Sequence, residues 1–310
     1  MTRHLLSFDV EEYFHVETFR EAVGAARWEG MESRVAESTR RLLDLVDEAG
    51  VEATFFVLGW VAERHPGLVR EIAARGHEVA SHGFGHDLAY ALTPERFLDD
   101  VRRARELLCE LSGQPVEGYR APSFSITRRN PWALDALAEA GYRWDSSIFP
   151  VRHHRYGIPD FPGAPRRIAW ADGRALDEYP MTFSDGPLGR LPVAGGGYFR
   201  LFPAWVLRRA WRKLDARGET CVFYLHPWEL DPGQPRVRTG VIGTWRHYTG
   251  LGATAGRLRE WLRAFRWTSF RRHRAEGGVP TAVLPREWFD APAASVPADA
   301  GAAAAGGGAR

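Results

Sequence analysis

With only two cysteines in 310 residues, Cys109 and Cys221, the chain lacks the material for a disulfide framework. They stand far apart in segments that read as helix and strand, so buried thiols are expected. A long apolar run is missing too. The opening MTRHLLSFDVEEYF meets charged residues after a few apolar ones, too soon for a secretory signal or a membrane span, and the expected location is cytoplasmic. Charge of one sign is also lacking: 41 Lys and Arg against 39 Asp and Glu leave a net +2. That balance gives no reason to expect a nucleic-acid partner, and any site must be argued locally. The run Gly195, Gly196, Gly197 is not followed by GK[ST], and Tyr-Phe-Arg after it reads as strand, which speaks against a phosphate-cradling loop. No internal repeat is visible.

What the chain does have is enough apolar residue, 45%, to bury a large core in one main domain. LLSFDV reads as a strand ending in acids. SRVAESTRRLLDLVDEAG follows as a helix closed by Gly50, and ATFFVLG as a buried strand. WVAERHPGLVREIAARG reads as helix with a break at Pro66, and HEVASH as the next strand. Thr93 and Pro94 supply a cap and first-turn proline for FLDDVRRARELLCEL, and Asn130 and Pro131 do the same for WALDALAEAG. Later, FPAWVLRRAWRKLDARG leads into ETCVFYLHP, again helix then strand. This alternation predicts an α/β fold with parallel strands and crossover helices, as an open sheet or a barrel. Residues 151–200, rich in proline and glycine, break the rhythm and predict an insertion of hairpins and loops. The segment RAFRWTSFRRHR mixes arginines with aromatic residues as interfacial helices do, although a solvated basic face has the same composition.

The reactive side chains gather at predicted strand ends: Asp9, His82, Arg120, Asp145 and His226. In parallel α/β folds the C-terminal strand ends carry the active site, so five such positions predict one cleft. In SHGFGHD, His82 and His86 lie four apart with glycines that let the backbone turn, a two-ligand metal clip. A catalytic metal takes a third ligand, and the acids after LLSF can supply it. Strand alternation puts Asp9 and Glu11 on one face and Glu12 on the other, so one of the first two would bind metal and the other act as base. His226, between a buried strand and aromatic neighbours, is a candidate acid that Asp145 could orient; Asp145 could instead cap the turn at Ser146 and Ser147. Arg120, two residues before Pro122, could hold the base ionised through a two-pronged hydrogen bond. Trp228, Trp245 and Tyr248 could stack on sugar rings.

Taken together, SFDVEE, SHGFGH, YRAPS, RWDSS and FYLHP occur in the order of five motifs of the polysaccharide deacetylases, the NodB-homology or carbohydrate esterase family four, which the chain resembles. GYRAPSFSIT, DSSIFP, RYGIPD, GGGYFRL, FYLHPWELDPGQPR and WRHYTGL resemble the deacetylases associated with the exosortase/PEP-CTERM exopolysaccharide system. The resemblance runs from about Leu5 to Phe270. It implies a distorted (β/α) barrel over residues 1–288, with a family-specific region from about 150, ahead of a disordered Ala/Gly/Pro-rich tail over 289–310. A divalent metal, zinc first and cobalt, nickel or iron next, would sit on His82, His86 and an acid. Asp9 would be the base, steadied by Arg120, and His226 the acid, supported by Asp145. The family's adjacent Asp-Asp is here Asp9-Val10-Glu11-Glu12, and alternation assigns the metal to Glu11 with Glu12 or Asp9 as the other choices. The implied activity is removal of acetyl groups from an N-acetylated polysaccharide or a lipid-linked oligosaccharide, with peripheral membrane contact at the inner face. Hydrolysis of O-acetyl esters or of a small cyclic amide, and sugar binding without catalysis, are the rival functions.

Overall fold

The computed structural model describes residues 2–153, 155–186 and 189–291. Five strands alternate with helices through its first half: β1 (Arg3–Val10), β2 (Thr54–Val57), β3 (Glu78–Ser81), β4 (Gly118–Tyr119) and β5 (Trp144–Asp145). β6 (Arg166–Ala169) and β7 (Ala175–Glu178) form an antiparallel hairpin, as do β8 (Phe183–Gly186) and β9 (Gly189–Pro192). β10 (Val222–Leu225), β11 (Arg266–Thr268) and β12 (Val283–Pro285) complete the set. The main sheet has ten strands in the order β10-β1-β2-β3-β4-β5-β7-β6-β12, with β11 also on β1. Every pairing in it is parallel except β6 with β7. The fold is thus mixed α/β with a mostly parallel sheet, and its ladder stays open among the described residues. The helix break at Pro66 falls between Gly59–Arg64 and Pro66–Ala74, where the proline opens the second helix.

Strand alternation divides the core in two. Leu6, Phe8, Val10, Phe55, Val57 and Val79 face the helices, whereas Leu5, Phe56, Ala80, Trp144, Val222 and Tyr224 pack on the other face. The second face is closed at the strand N-termini by the helix Phe270–Ala275, whose Phe270 stacks flat on Trp144 at 4.4 Å and meets Phe56 edge-on. The segment RAFRWTSFRRHR is therefore not one helix: β11 interrupts it. Three of its arginines are engaged, Arg271 and Arg272 with Glu52, and Arg274 with Asp177.

The same plug buries an acid. Glu78 Oε2 accepts from Thr54 Oγ1 at 2.6 Å and from the Arg271 N–H at 2.8 Å, and burial pushes its carboxyl up to about 7. Between pH 4.5 and 7 the folded state then binds more protons than the unfolded one, so stability falls as pH rises through that window. Relative to wild type, Glu78→Gln is expected to gain on the order of 2 kcal/mol between pH 5 and pH 8. Thermal melts of both proteins across that range check this, and parallel curves would remove Glu78 as the cause.

Three expectations change. Tyr198-Phe199-Arg200 lies in a short helix, Gly196–Leu201, rather than in a strand. The glycines before it are set by space: Gly195 has φ 135° and bridges to Tyr224, and a Cβ there would come within 1.9 Å of the Tyr224 carbonyl oxygen. Residues 151–200 are not merely inserted, since β7 pairs with β5 and extends the main sheet. Phe289, assigned to the tail, is buried against Phe161 and belongs to the folded body, while the tail from 292 onward lies outside the described residues.

Candidate active site

β1 carries Asp9 at its end and delivers Glu11 just beyond, so both carboxylates open into one cleft with an empty volume of about 1070 Å³. His82 follows directly on β3, and His86 ends the loop after it. His86 sits at φ 54°, a left-handed conformation costly for a residue with a side chain. The loop is held from below by Asp100, whose carboxylate accepts from the Phe84 N–H at 2.8 Å and the Gly85 N–H at 3.0 Å.

Glu11, His82 and His86 each offer a ligand atom, all within 4.8 Å of one another and all buried. His86 Nε2 lies 2.5 Å and His82 Nε2 3.8 Å from Glu11 Oε2. That oxygen is buried without a well-aligned hydrogen bond. His82 Nδ1 stands 2.8 Å from the Arg120 carbonyl oxygen, which can only accept, so the proton is on Nδ1 and the Nε2 lone pair is free. Burial lowers His82 to about 4, which favours the neutral ligand form. The Nε2 atoms of His82 and His86 and the Oε2 atom of Glu11 together fit the donor set of a divalent metal. Glu12 is turned away: it accepts from the Ser33 hydroxyl and from the Arg34 N–H, at the start of the helix Val35–Glu48.

Asp9 sits beside this trio and is tied to Arg120, whose Nη1 donates to Asp9 Oδ1 at 2.7 Å and to Ser7 Oγ at 2.8 Å. The contact is single, not the expected two-pronged bond, because the other guanidinium nitrogens donate to the Ser146 carbonyl and hydroxyl. Arg120 is fully buried with Phe56 under its guanidinium at 4.0 Å, so Asp9 is its nearest compensating charge.

His226, at the end of β10, faces the trio from the opposite wall, with Nε2 3.6 Å from Glu11 Oε1 and 4.0 Å from Asp9 Oδ2. Its orienting partner is not Asp145. His226 Nδ1 lies 2.8 Å from Glu229 Oε1, which also accepts from the His226 N–H, and Glu229 Oε2 accepts from Arg200 Nε at 2.6 Å. Arg200 is fixed in turn by the carbonyls of His247 and Thr249. Burial opposes charging of His226, but the Glu229 bond and the charges of Glu11, Glu229 and Asp9 outweigh it and hold the imidazole up at about 9. Burial likewise opposes charge on Glu229, yet Arg200 and His226 hold it down at about 2. Asp145 instead accepts from Ser147 Oγ at 2.5 Å and lies against Glu178. Burial raises Asp145 to about 6, and burial plus the Asp145 charge carries Glu178 well above the carboxylate range.

Glu229 and Arg200 are thus functional candidates that sequence reasoning passed over. For Glu229 a signal existed, an acid three residues after a strand-end histidine; for Arg200 there was none, because it arrives from 29 residues away. Trp228, which lines the cleft, and the partly buried Tyr248 both have their polar atoms engaged within the protein. Trp228 donates through Nε1 to Glu11 Oε1 at 3.3 Å and is sandwiched between His226 and His247, and the Tyr248 hydroxyl bridges Val237 and Pro235.

Residues 29–144 match the family model for polysaccharide deacetylase, and residues 146–274 match a domain of unknown function (DUF3473). A peptidoglycan-N-acetylglucosamine deacetylase of Bacillus cereus is 30% identical over 100 residues, covering 32% of this chain and 36% of its own length. A chitooligosaccharide deacetylase of Rhizobium leguminosarum bv. trifolii is 34% identical over 126 residues, covering 39% and 55%. The chain therefore spans about half or less of the length of these relatives. Among solved structures, a Mycobacterium smegmatis protein assigned to the polysaccharide deacetylases superposes with a TM-score of 0.60 at 23% identity over 89% of each chain, a likeness of fold.

Proposed function

We propose, from the premise that residues 29–144 form a polysaccharide deacetylase segment, that this protein hydrolyses the acetamide of N-acetylated sugar units in a polymer or its precursor. The observation that carries the proposal is the meeting of three groups in one cleft: the Glu11, His82, His86 donor set, the Arg120-tethered Asp9, and His226 across from both. The named activities of the relatives support the same substrate class.

Glu11, His82 and His86 would hold a divalent metal, zinc first by donor type, with cobalt, nickel and iron compatible. Bound there, the metal would polarise the acetamide carbonyl and stabilise negative charge on its oxygen. Asp9, held in place by the Arg120 hydrogen bond, takes a proton from the attacking water as its oxygen joins the carbonyl carbon. His226, protonated on Nε2 and oriented through Nδ1 by Glu229, gives a proton to the amine as the C–N bond breaks. Acetate and the free amino sugar leave. Trp228 keeps one Glu11 oxygen occupied and so turns the other toward the two histidines. The resemblance to the exosortase/PEP-CTERM-associated deacetylases makes an exopolysaccharide or a lipid-linked precursor the substrate we favour, met on the cytoplasmic membrane face.

Acetate release from N-acetylglucosamine oligomers, measured on purified protein before chelation, after it and after adding back single metals, tests the proposal. Release that disappears with the metal and returns with it is the expected result. Release from O-acetylated but not N-acetylated oligomers would replace the amidase by an esterase, and saccharide binding without release under any metal would replace it by a binding protein.

A further inference from the structure

The helix Val241–Tyr248 has its faces reversed. Val241 is 87%, Ile242 81% and Trp245 60% exposed, three of the five large apolar side chains exposed among the described residues, the others being Trp205 and Val283. At 100° per residue these three lie on one side of the helix. The opposite side is anchored: His247 is buried, bonded to Gln234 at 2.8 Å and stacked on Trp228 at 4.4 Å, and Gly243 abuts Thr18 so closely that a Cβ would come within 2.6 Å of its methyl. Packing therefore fixes the apolar side outward. The surroundings are basic. Arg236, Arg238 and Arg246 are exposed around the helix, and no Asp or Glu occurs from 232 to 259. The nearest acid on the facing segment, Glu17, is paired with Arg20. Arg246 and His247 also line the cleft.

We infer that this helix docks the protein on an anionic lipid bilayer, with Val241, Ile242 and Trp245 entering the interface and Arg236, Arg238 and Arg246 meeting the headgroups. Charge complementarity selects the occupant: an apolar tip flanked by arginines, on a stretch of chain from 232 to 259 that holds no acid, matches a negatively charged membrane surface. No described helix is long and apolar enough to cross a membrane, so contact through this helix would be peripheral. The basic segment near the C-terminus is a poorer candidate, since Arg271, Arg272 and Arg274 pair with Glu52 and Asp177. Docking by the Val241–Tyr248 helix would set the cleft mouth at the headgroup level, where a lipid-linked saccharide is presented. That last step rests on the proposed deacetylation; the docking itself does not.

Co-sedimentation of the full chain with vesicles of phosphatidylcholine, with and without phosphatidylglycerol, tests it in the absence of any saccharide. Wild type is expected to sediment with the anionic vesicles and to be released by salt, and the double variant Val241→Ser, Ile242→Ser to lose at least about tenfold in partitioning. Its melting temperature and its turnover of soluble oligomers should match wild type. Because binding is scored without substrate, an inactive protein that still sediments would defeat the deacetylase reading and leave docking intact. Wild type that stays in solution, or a double variant that sediments as well as wild type, overturns the inference. So does a wild-type dimer that the double variant dissolves while vesicles leave it untouched, which would assign the face to a second copy of the chain. Loss of oligomer turnover with vesicle binding retained would assign it to the saccharide.

Discussion

Asp9→Asn is expected to lower acetate release by roughly 10² to 10⁴-fold, the contribution of a positioned general base, while metal content stays at the wild-type level. The substitution keeps shape and removes the charge that can accept a proton. Metal is expected to remain because the donor trio is Glu11, His82 and His86, and Asp9 lies outside it. A second effect accompanies the first. Arg120 is fully buried, and Asp9 is its ion-pair partner at 2.7 Å, so an Asn there leaves a buried guanidinium with only neutral acceptors in Ser7 and Ser146. Breaking one side of a buried pair costs about 3–5 kcal/mol, so the melting temperature should fall too. Activity must therefore be compared at a temperature where both proteins are folded. Metal analysis separates the two roles open to Asp9: a variant that loses metal with its activity makes Asp9 a ligand, and one that keeps full turnover removes it as the base. His82→Ala, the parallel control, is expected to lose metal and turnover together.

The legibility of this site follows from which of its contacts are local. Strand ends could be read because an apolar run stopping at a reactive residue is written in consecutive letters, and parallel α/β topology sends all such ends to one side. Asp9, His82 and His226 reach the cleft that way. Alternation favours Glu11 over Glu12 while leaving Glu12 and Asp9 as the other choices, since one residue of offset turns a side chain to the opposite face. Contacts across the chain could not be read. Asp145 sits beside β4 in the sheet, and its carboxylate turns to Ser147, the turn the sequence offered as its other role, and to Glu178, a hairpin residue thirty-three positions on that the sequence did not show. The helix at Gly196–Leu201 was hidden for a related reason. Its sequence favours a strand, but β10 approaches so closely at Gly195 that the chain turns there instead. The basic segment near the C-terminus gave composition without partners, and its partners, Glu52 and Asp177, come from other parts of the chain.

Glu229→Gln tests the partner of His226 that sequence reasoning passed over, and its expected effect is a fall of about 10²-fold in kcat with little change in KM. Glu229 Oε1 accepts from both the backbone N–H and, at 2.8 Å, Nδ1 of His226, while Oε2 takes Arg200 Nε at 2.6 Å. A glutamine has one oxygen for these two sides. Whichever way its amide turns, an N–H meets either Arg200 or the protonated Nδ1, so the imidazole loses its tautomer or its orientation. The charge is lost as well. Glu229 is among the groups that hold His226 up at about 9, so without it the imidazole gives up its proton at lower pH. A general acid works only while protonated, and the alkaline limb of the kcat profile is therefore expected to move to lower pH. A fold defect from the stranded Arg200 would lower activity at all pH values alike and leave that limb in place, which makes the profile the discriminating readout. Glu229→Asp, which keeps the charge, should move the limb back toward wild type. Asp145→Asn should leave it unmoved, because Asp145 is spent on Ser147 and Glu178. The opposite pattern, a limb shifted by Asp145→Asn and untouched by Glu229→Gln, would return the acid's support to Asp145 and reduce the Arg200–Glu229 pair to a brace for the wall of the cleft.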